Sequence, residues 1–157
     1  MLSQLNNLCT ETDGRYATDA ELQFLHRYLQ TVPLRLSAYQ CIQSHEAQII
    51  QQVQARLEAI APNLLQQGQT DLTAKWKQDT IRSLRYAALA LLIDDPETLR
   101  ENMLLWFQSI IRAFGAEQSC NLTYTLMQDV VTQYLSPAEA ELFCPILELT
   151  RSLLGES

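Results

Sequence analysis

The chain has 157 residues, 47% of them hydrophobic, with 18 acidic against 11 basic side chains and a formal net charge of −7. That length supports a single domain with a core of its own, and the acidity argues against a nucleic-acid partner, which needs a basic face to displace counterions. With 4 glycines and no alternating Val/Ile/Thr-rich runs, the composition points to an all-α fold.

Leu2, Leu5 and Leu8 form a thin helical stripe that needs a partner to persist. Asp13-Gly14-Arg15-Tyr16 is a turn, and no basic-then-apolar leader precedes it, so no secretory signal is expected. Thr18-Asp19-Ala20-Glu21 has the form of a capping box, followed by Leu22, Leu25, Tyr28 and Leu29 on one face. Pro33 is expected to interrupt that helix, because a proline inside a helix removes a donor and clashes with the preceding turn. A second helix from Leu34 presents Leu36, Tyr39, Cys41 and Ile42. Between His45 and Ala61 it continues or restarts, with Ile49, Ile50, Val53, Leu57 and Ile60 apolar. Pro62 ends the run, and Gln66 to Thr70 reads as a polar loop.

Asp71 to Gly115 is the stretch the rest is organised around. Ile81, Leu84, Ala88, Leu91 and Leu92 share one face of its first helix. At the corner, Asp95 is suited to cap free amides and Pro96 to open the next helix. The second helix is expected to bury Leu99, Met103, Trp106, Ile110, Ala113 and Phe114 and to end on Gly115. Leu104, Phe107 and Ile111 are an apolar surplus on a different face, as in a helix central to its own core or covered by another subunit. The longest apolar run, Tyr86 to Ile93, falls far short of the ~20 residues a membrane span requires. Leu122 to Leu135 is a further helix. Ser136-Pro137-Ala138-Glu139 starts the last one, which carries Leu142, Ile146, Leu149 and Leu153 to a stop at Gly155.

Catalytic and metal chemistry finds little purchase. Neither His26 nor His45 follows a Glu by three residues, as carboxylate di-iron bundles require. No histidine follows His45 to serve as a late proximal haem ligand. A phosphate-cradling glycine loop and a nucleophile elbow are both missing, and Asp94-Asp95 reads as capping, so no enzyme is expected. Cys9, Cys41, Cys120 and Cys144 are scattered, as in a protein with reduced cytosolic thiols. Lys75, Gln78, Arg82 and Arg85 form a mostly basic stripe, either solvated or paired with carboxylates such as Asp13 or those of a partner.

Three segments together resemble the phycobiliproteins, the subunits of cyanobacterial and red-algal light-harvesting antennae. They are Asp13-Gly14-Arg15-Tyr16 with Leu22; Ile42 to Ile50 with Ala55-Arg56-Leu57; and Asp79 to Gly115, where Leu84-Arg85-Tyr86, the aspartate-rich corner and the closing glycine keep the family's spacing. The resemblance implies one globin-like helical domain over 1–157, with N-terminal dimerisation helices at 1–32 and a globin-like core at 33–157. It also implies a bilin on the cysteine of a C-x-R-D motif at the start of the central hairpin. Here that motif reads Trp76-Lys77-Gln78-Asp79: Trp76 stands where the cysteine belongs, Gln78 replaces the arginine, and Asp79 matches the aspartate that bonds the pyrrole nitrogens. The preceding loop is shorter than the family's, and Trp106 and Ile111 replace a glycine and a tyrosine. No cofactor is therefore expected, and the pocket is expected to be filled or collapsed. A noncovalent bilin, or one relocated to Cys144, is the alternative.

In the family, the residues matched by Asp13, Arg15 and Arg85 take part in contacts between paired subunits. With Tyr16 and Arg82 they form the expected subunit interface, for a homodimer or a heterodimer with a phycobiliprotein-like subunit. The resulting reading is a non-chromophorylated protein that binds antenna subunits in assembly, turnover or regulation. It would be cytoplasmic or at the cytoplasmic face of the thylakoid, with no membrane insertion. The alternatives are a light-harvesting subunit with a noncovalent or relocated bilin, and a bilin chaperone.

Overall fold

A computed structural model describes residues 1–67 and 69–155. Its helices are α1 (Leu2–Glu11), α2 (Gln23–Ile60), α3 (Thr73–Ile93), α4 (Pro96–Leu99), α5 (Leu105–Phe114), α6 (Glu117–Val131) and α7 (Pro137–Gly155). The architecture is all-α and globin-like, as expected. α6 packs on α7, α2 on α3 and α6, and α3 on α7. The core where they meet holds Ile49, Ile50, Leu57, Leu84, Leu91, Met127, Phe143 and Leu147, all essentially inaccessible to solvent. The stretch read as a polar loop instead pairs β1 (Gln66–Gln67) with β2 (Thr70–Asp71) as a minimal antiparallel hairpin. Gly68 of that loop lies outside the described residues.

The capping sequences close as their chemistry requires. Thr18 and Glu21 bond reciprocally, the Thr18 amide reaching Glu21 Oε2 at 2.8 Å and the Glu21 amide reaching Thr18 Oγ1 at 3.3 Å. Ser136 and Glu139 repeat the arrangement before α7. Asp95 accepts the Thr98 amide at the start of α4 and also the amide and hydroxyl of Ser3, which ties α1 to the corner. Gly115 caps α5 at φ +63°, in the left-handed region that glycine adopts without a Cβ penalty.

The last helix runs to Gly155 as expected; a Cβ there would lie 2.7 Å from Asn121 Cα, so its bareness also permits α7 to close on α6. Two further expectations are corrected. Pro33 does not interrupt the chain: α2 runs through it for 38 residues. The ring sits on an exposed position, where water can reach the carbonyl left without its helical donor.

The second of these corrections concerns the second helix of the central hairpin. Its buried residues are Leu99, Met103, Leu104, Phe107 and Ile111, whereas Trp106 and Phe114 are 43% and 61% exposed. The cause is a π-helical turn over Arg100–Leu104. Such a turn spends one extra residue, which rotates everything after it by about 100° relative to an unbroken α-helix. The expected row therefore slides one position, from 106 and 110 to 107 and 111.

The corner also depends on a residue without a counterpart in the sequence reading. Arg35 of α2 is buried, donating from Nε to Thr31 Oγ1 at 2.9 Å and from Nη1 to the Leu91 carbonyl at 2.7 Å. Its Nη2 pairs with Asp94 at 2.8 Å. A cation placed against the carboxyl end of α3 is favoured by the helix dipole. Replacing Arg35 with alanine leaves the Leu91 carbonyl with only the Asp94 amide, at 3.3 Å, and takes the cation from Asp94; it should cost about 1–3 kcal/mol, read as a lowered urea midpoint at unchanged slope. A midpoint matching wild type would show that Arg35 does not hold the corner.

Candidate functional site

The site is built where α3 leaves the hairpin. Asp71 accepts the Thr73 amide at 2.8 Å and starts the helix. One turn on, Trp76 turns into the body of the protein, 9% exposed, and its Nε1–H donates to Thr123 Oγ1 of α6 at 2.9 Å. An indole packs as a large apolar plate only if its single donor finds an acceptor. Thr123, itself 2% exposed, supplies that acceptor.

Trp76 does not fill the space around it. A cleft of about 280 Å³ remains between the hairpin, α3, α5 and the start of α6. Leu72, Phe107, Ile111 and Phe114 supply apolar walls, and Asp79, Cys120 and Tyr124 line its polar parts. The expectation of a filled or collapsed pocket is thus corrected. The indole closes one wall, while α3 and α5 stay far enough apart to leave a volume just under the range of about 300–1,000 Å³ typical of small-molecule pockets.

The other motif positions separate. Asp79 stands at the cleft, half-buried, and holds Lys75 at 3.4 Å across one helical turn. Gln78 is exposed and faces the neighbouring groove with Lys77, Ile81, Arg82, Arg85 and Tyr86. Cys144 lies within α7, half-buried, with its thiol pushed up by burial and by Asp129, and it is not among the cleft residues. The cleft has a different thiol, Cys120, which the sequence reading passed over as one of four scattered cysteines. Burial, then the charges of Asp79 and Glu117, push it up to about 12. Tyr124 is likewise raised, chiefly by burial and then by Cys120. Both are protonated at neutral pH, so neither is an activated nucleophile.

The expected interface residues lie on two surfaces. Asp13, Arg15 and Tyr16 occupy the turn after α1, where Tyr16 is 98% exposed. Arg15 forks onto Glu21 at 2.7 and 3.0 Å, and this bond, followed by that from Thr18, holds the Glu21 carboxyl down to about 2. The turn is thus stiffened from within. Arg85 spends its fork on Glu46 of α2, at 2.7 Å for both bonds. Arg82 has no carboxylate partner among the described residues; its guanidinium stands 5.9 Å from the Tyr86 ring centre and 5.8 Å from that of Trp106. Among the described residues, neither Asp13 nor Tyr16 hydrogen-bonds or ion-pairs with α3.

Comparison with known proteins accords with this geometry. A family model described as "Phycobilisome protein" matches residues 9–154. Allophycocyanin subunit beta-18 of Aglaothamnion neglectum is 29% identical over 110 residues, covering 66% of this chain and 64% of that protein. The chain thus matches somewhat less than two thirds of that relative's length.

Shaving the indole tests its structural role. Trp76→Ala should cost about 3–5 kcal/mol in urea unfolding. Trp76→Phe, which keeps a ring but strands the Thr123 hydroxyl, should cost about 1–3 kcal/mol. Equal stability of all three proteins would mean that the Trp76–Thr123 contact holds nothing.

Proposed function

The chain belongs to the phycobilisome protein family, and from that premise we propose that it is a pigment-free member that binds other antenna subunits. The carrying observation is Trp76: an indole bonded to Thr123 stands where the resemblance places a pigment-bearing cysteine. No thioether can form there without a thiol. The protein's work is then binding rather than light absorption or catalysis, in antenna assembly, turnover or regulation. Family membership suggests association with the thylakoid surface; among the described residues no helix is long and apolar enough to cross a membrane.

The binding surface in this reading joins the turn at Asp13, Arg15 and Tyr16 to the basic edge of α3 at Arg82 and Arg85. A fully exposed tyrosine on a stiff turn, beside a carboxylate, has the chemistry of an interface anchor. The groove of Ile81, Arg82, Arg85 and Tyr86 offers an apolar floor and positive sides. Because the turn and the groove do not bond each other within one chain, each is open to a partner, in a homodimer or a heterodimer with a phycobiliprotein-like subunit. The indole wall leaves the cleft beside Asp79 open, which favours one second reading: a bilin held noncovalently, for light harvesting or transient carriage.

Sedimentation of the chain alone and mixed with allophycocyanin subunits tests the pairing surface. Asp13→Lys combined with Arg85→Glu should weaken whichever association forms by about tenfold or more, with far-UV circular dichroism unchanged. Association that survives both charge reversals in a folded protein rules the surface out.

A further inference from the structure

The π-helical turn has left a second surface. Trp106, Ile110 and Phe114 follow at four-residue intervals along α5, with Ile110 half-buried against the core and Trp106 and Phe114 43% and 61% exposed. Beside the row lies the outer edge of α3. Arg82 there stacks on Trp106, and Ile110 and Phe114 share the cleft wall with Lys75 and Asp79. The two helices thus frame a groove with an aromatic–aliphatic side on α5 and a charged side on α3.

From this juxtaposition the geometry points to a docking site for an acidic amphipathic helix of a partner protein. Two arguments select that occupant. The apolar row spans eight residues, about 12 Å or two helical turns, which matches the anchor spacing of a helix laid in a groove. The α3 side carries Lys75 and Arg82 two turns apart. The Lys75–Asp79 pair is an exposed intrahelical one that solvent screens, and Arg82 meets aromatic rings alone. A helix with carboxylates about two turns apart beside its apolar stripe would meet both cations. This site shares Arg82 with the proposed pairing surface, but its apolar row on α5 and Lys75 lie outside that surface.

A fluorescein-labelled synthetic helix of about 18 residues, with leucines at i, i+4 and i+7 flanked by glutamates, is a suitable probe. Its twin carries lysine in place of each glutamate. In fluorescence anisotropy the glutamate peptide should bind saturably and the lysine twin about tenfold more weakly or worse. Trp106→Ala should weaken the glutamate peptide by a similar factor, Trp106→Phe by less, and Arg82→Glu should reverse the preference between the twins. The Asp13→Lys, Arg85→Glu variant should bind the peptide as wild type does, so failure of one surface is distinguishable from failure of the other. Equal binding of both twins, or no loss on Trp106→Ala in a folded protein, would overturn the proposal. So would self-association abolished by Trp106→Ala, which would make a second copy the occupant. Preferential partition into phosphatidylglycerol–phosphatidylcholine vesicles would overturn it as well, in favour of a membrane.

Discussion

The candidate site hangs from the hydrogen bond between the Trp76 indole and the Thr123 hydroxyl. It joins the first turn of α3 to α6 inside a dry seam, where an unpaired donor and acceptor would each be expensive. Because the bond satisfies both groups, the indole can face inward and pack as core. Around it, Asp79 stands at the cleft paired with Lys75, Gln78 is exposed, and burial raises the Cys120 and Tyr124 groups in the cleft.

The surface tells a complementary story. Where the expected interface residues bond at all, they bond to their own chain, and in doing so they become rigid. Arg15 is fixed by Glu21 and Arg85 by Glu46, so little conformational entropy remains to be lost when a partner arrives. Tyr16 and Arg82 are the groups left presenting themselves, one a bare ring and one a guanidinium between two rings. Such pre-ordered aromatic and arginine groups suit a protein whose work is gripping neighbours.

Much of this was legible in the residues. Asp95/Pro96, Ser136/Glu139 and Gly115 announced helix ends, and Thr18/Glu21 the turn just before α2, because each solves a local hydrogen-bond or dihedral problem that needs no tertiary information. Family membership followed from ordered motifs, and Trp76 was conspicuous because it stands at a position defined by them. Global effects were hidden. The π-helical turn changed which face of α5 is buried, and its only trace was the surplus of Leu104, Phe107 and Ile111 one step from the expected row. Pro33 was overread because local rules assume that a lost helical bond finds no water. Arg35 left no signal, since its acceptors Leu91 and Asp94 lie more than fifty residues away. The open cleft depends on the separation of α3 from α5, which no residue pattern encodes.

The most direct test is the visible absorption spectrum of the protein purified from cells that also make bilins, recorded native and then in acid urea after gel filtration has removed free small molecules. The account predicts no visible band in either state. A band present only in the native protein would identify a noncovalent pigment in the cleft beside Trp76. A band that persists in acid urea would show a covalent bilin on Cys144, Cys120 or another thiol and would contradict the claim that this chain is a pigment-free binder.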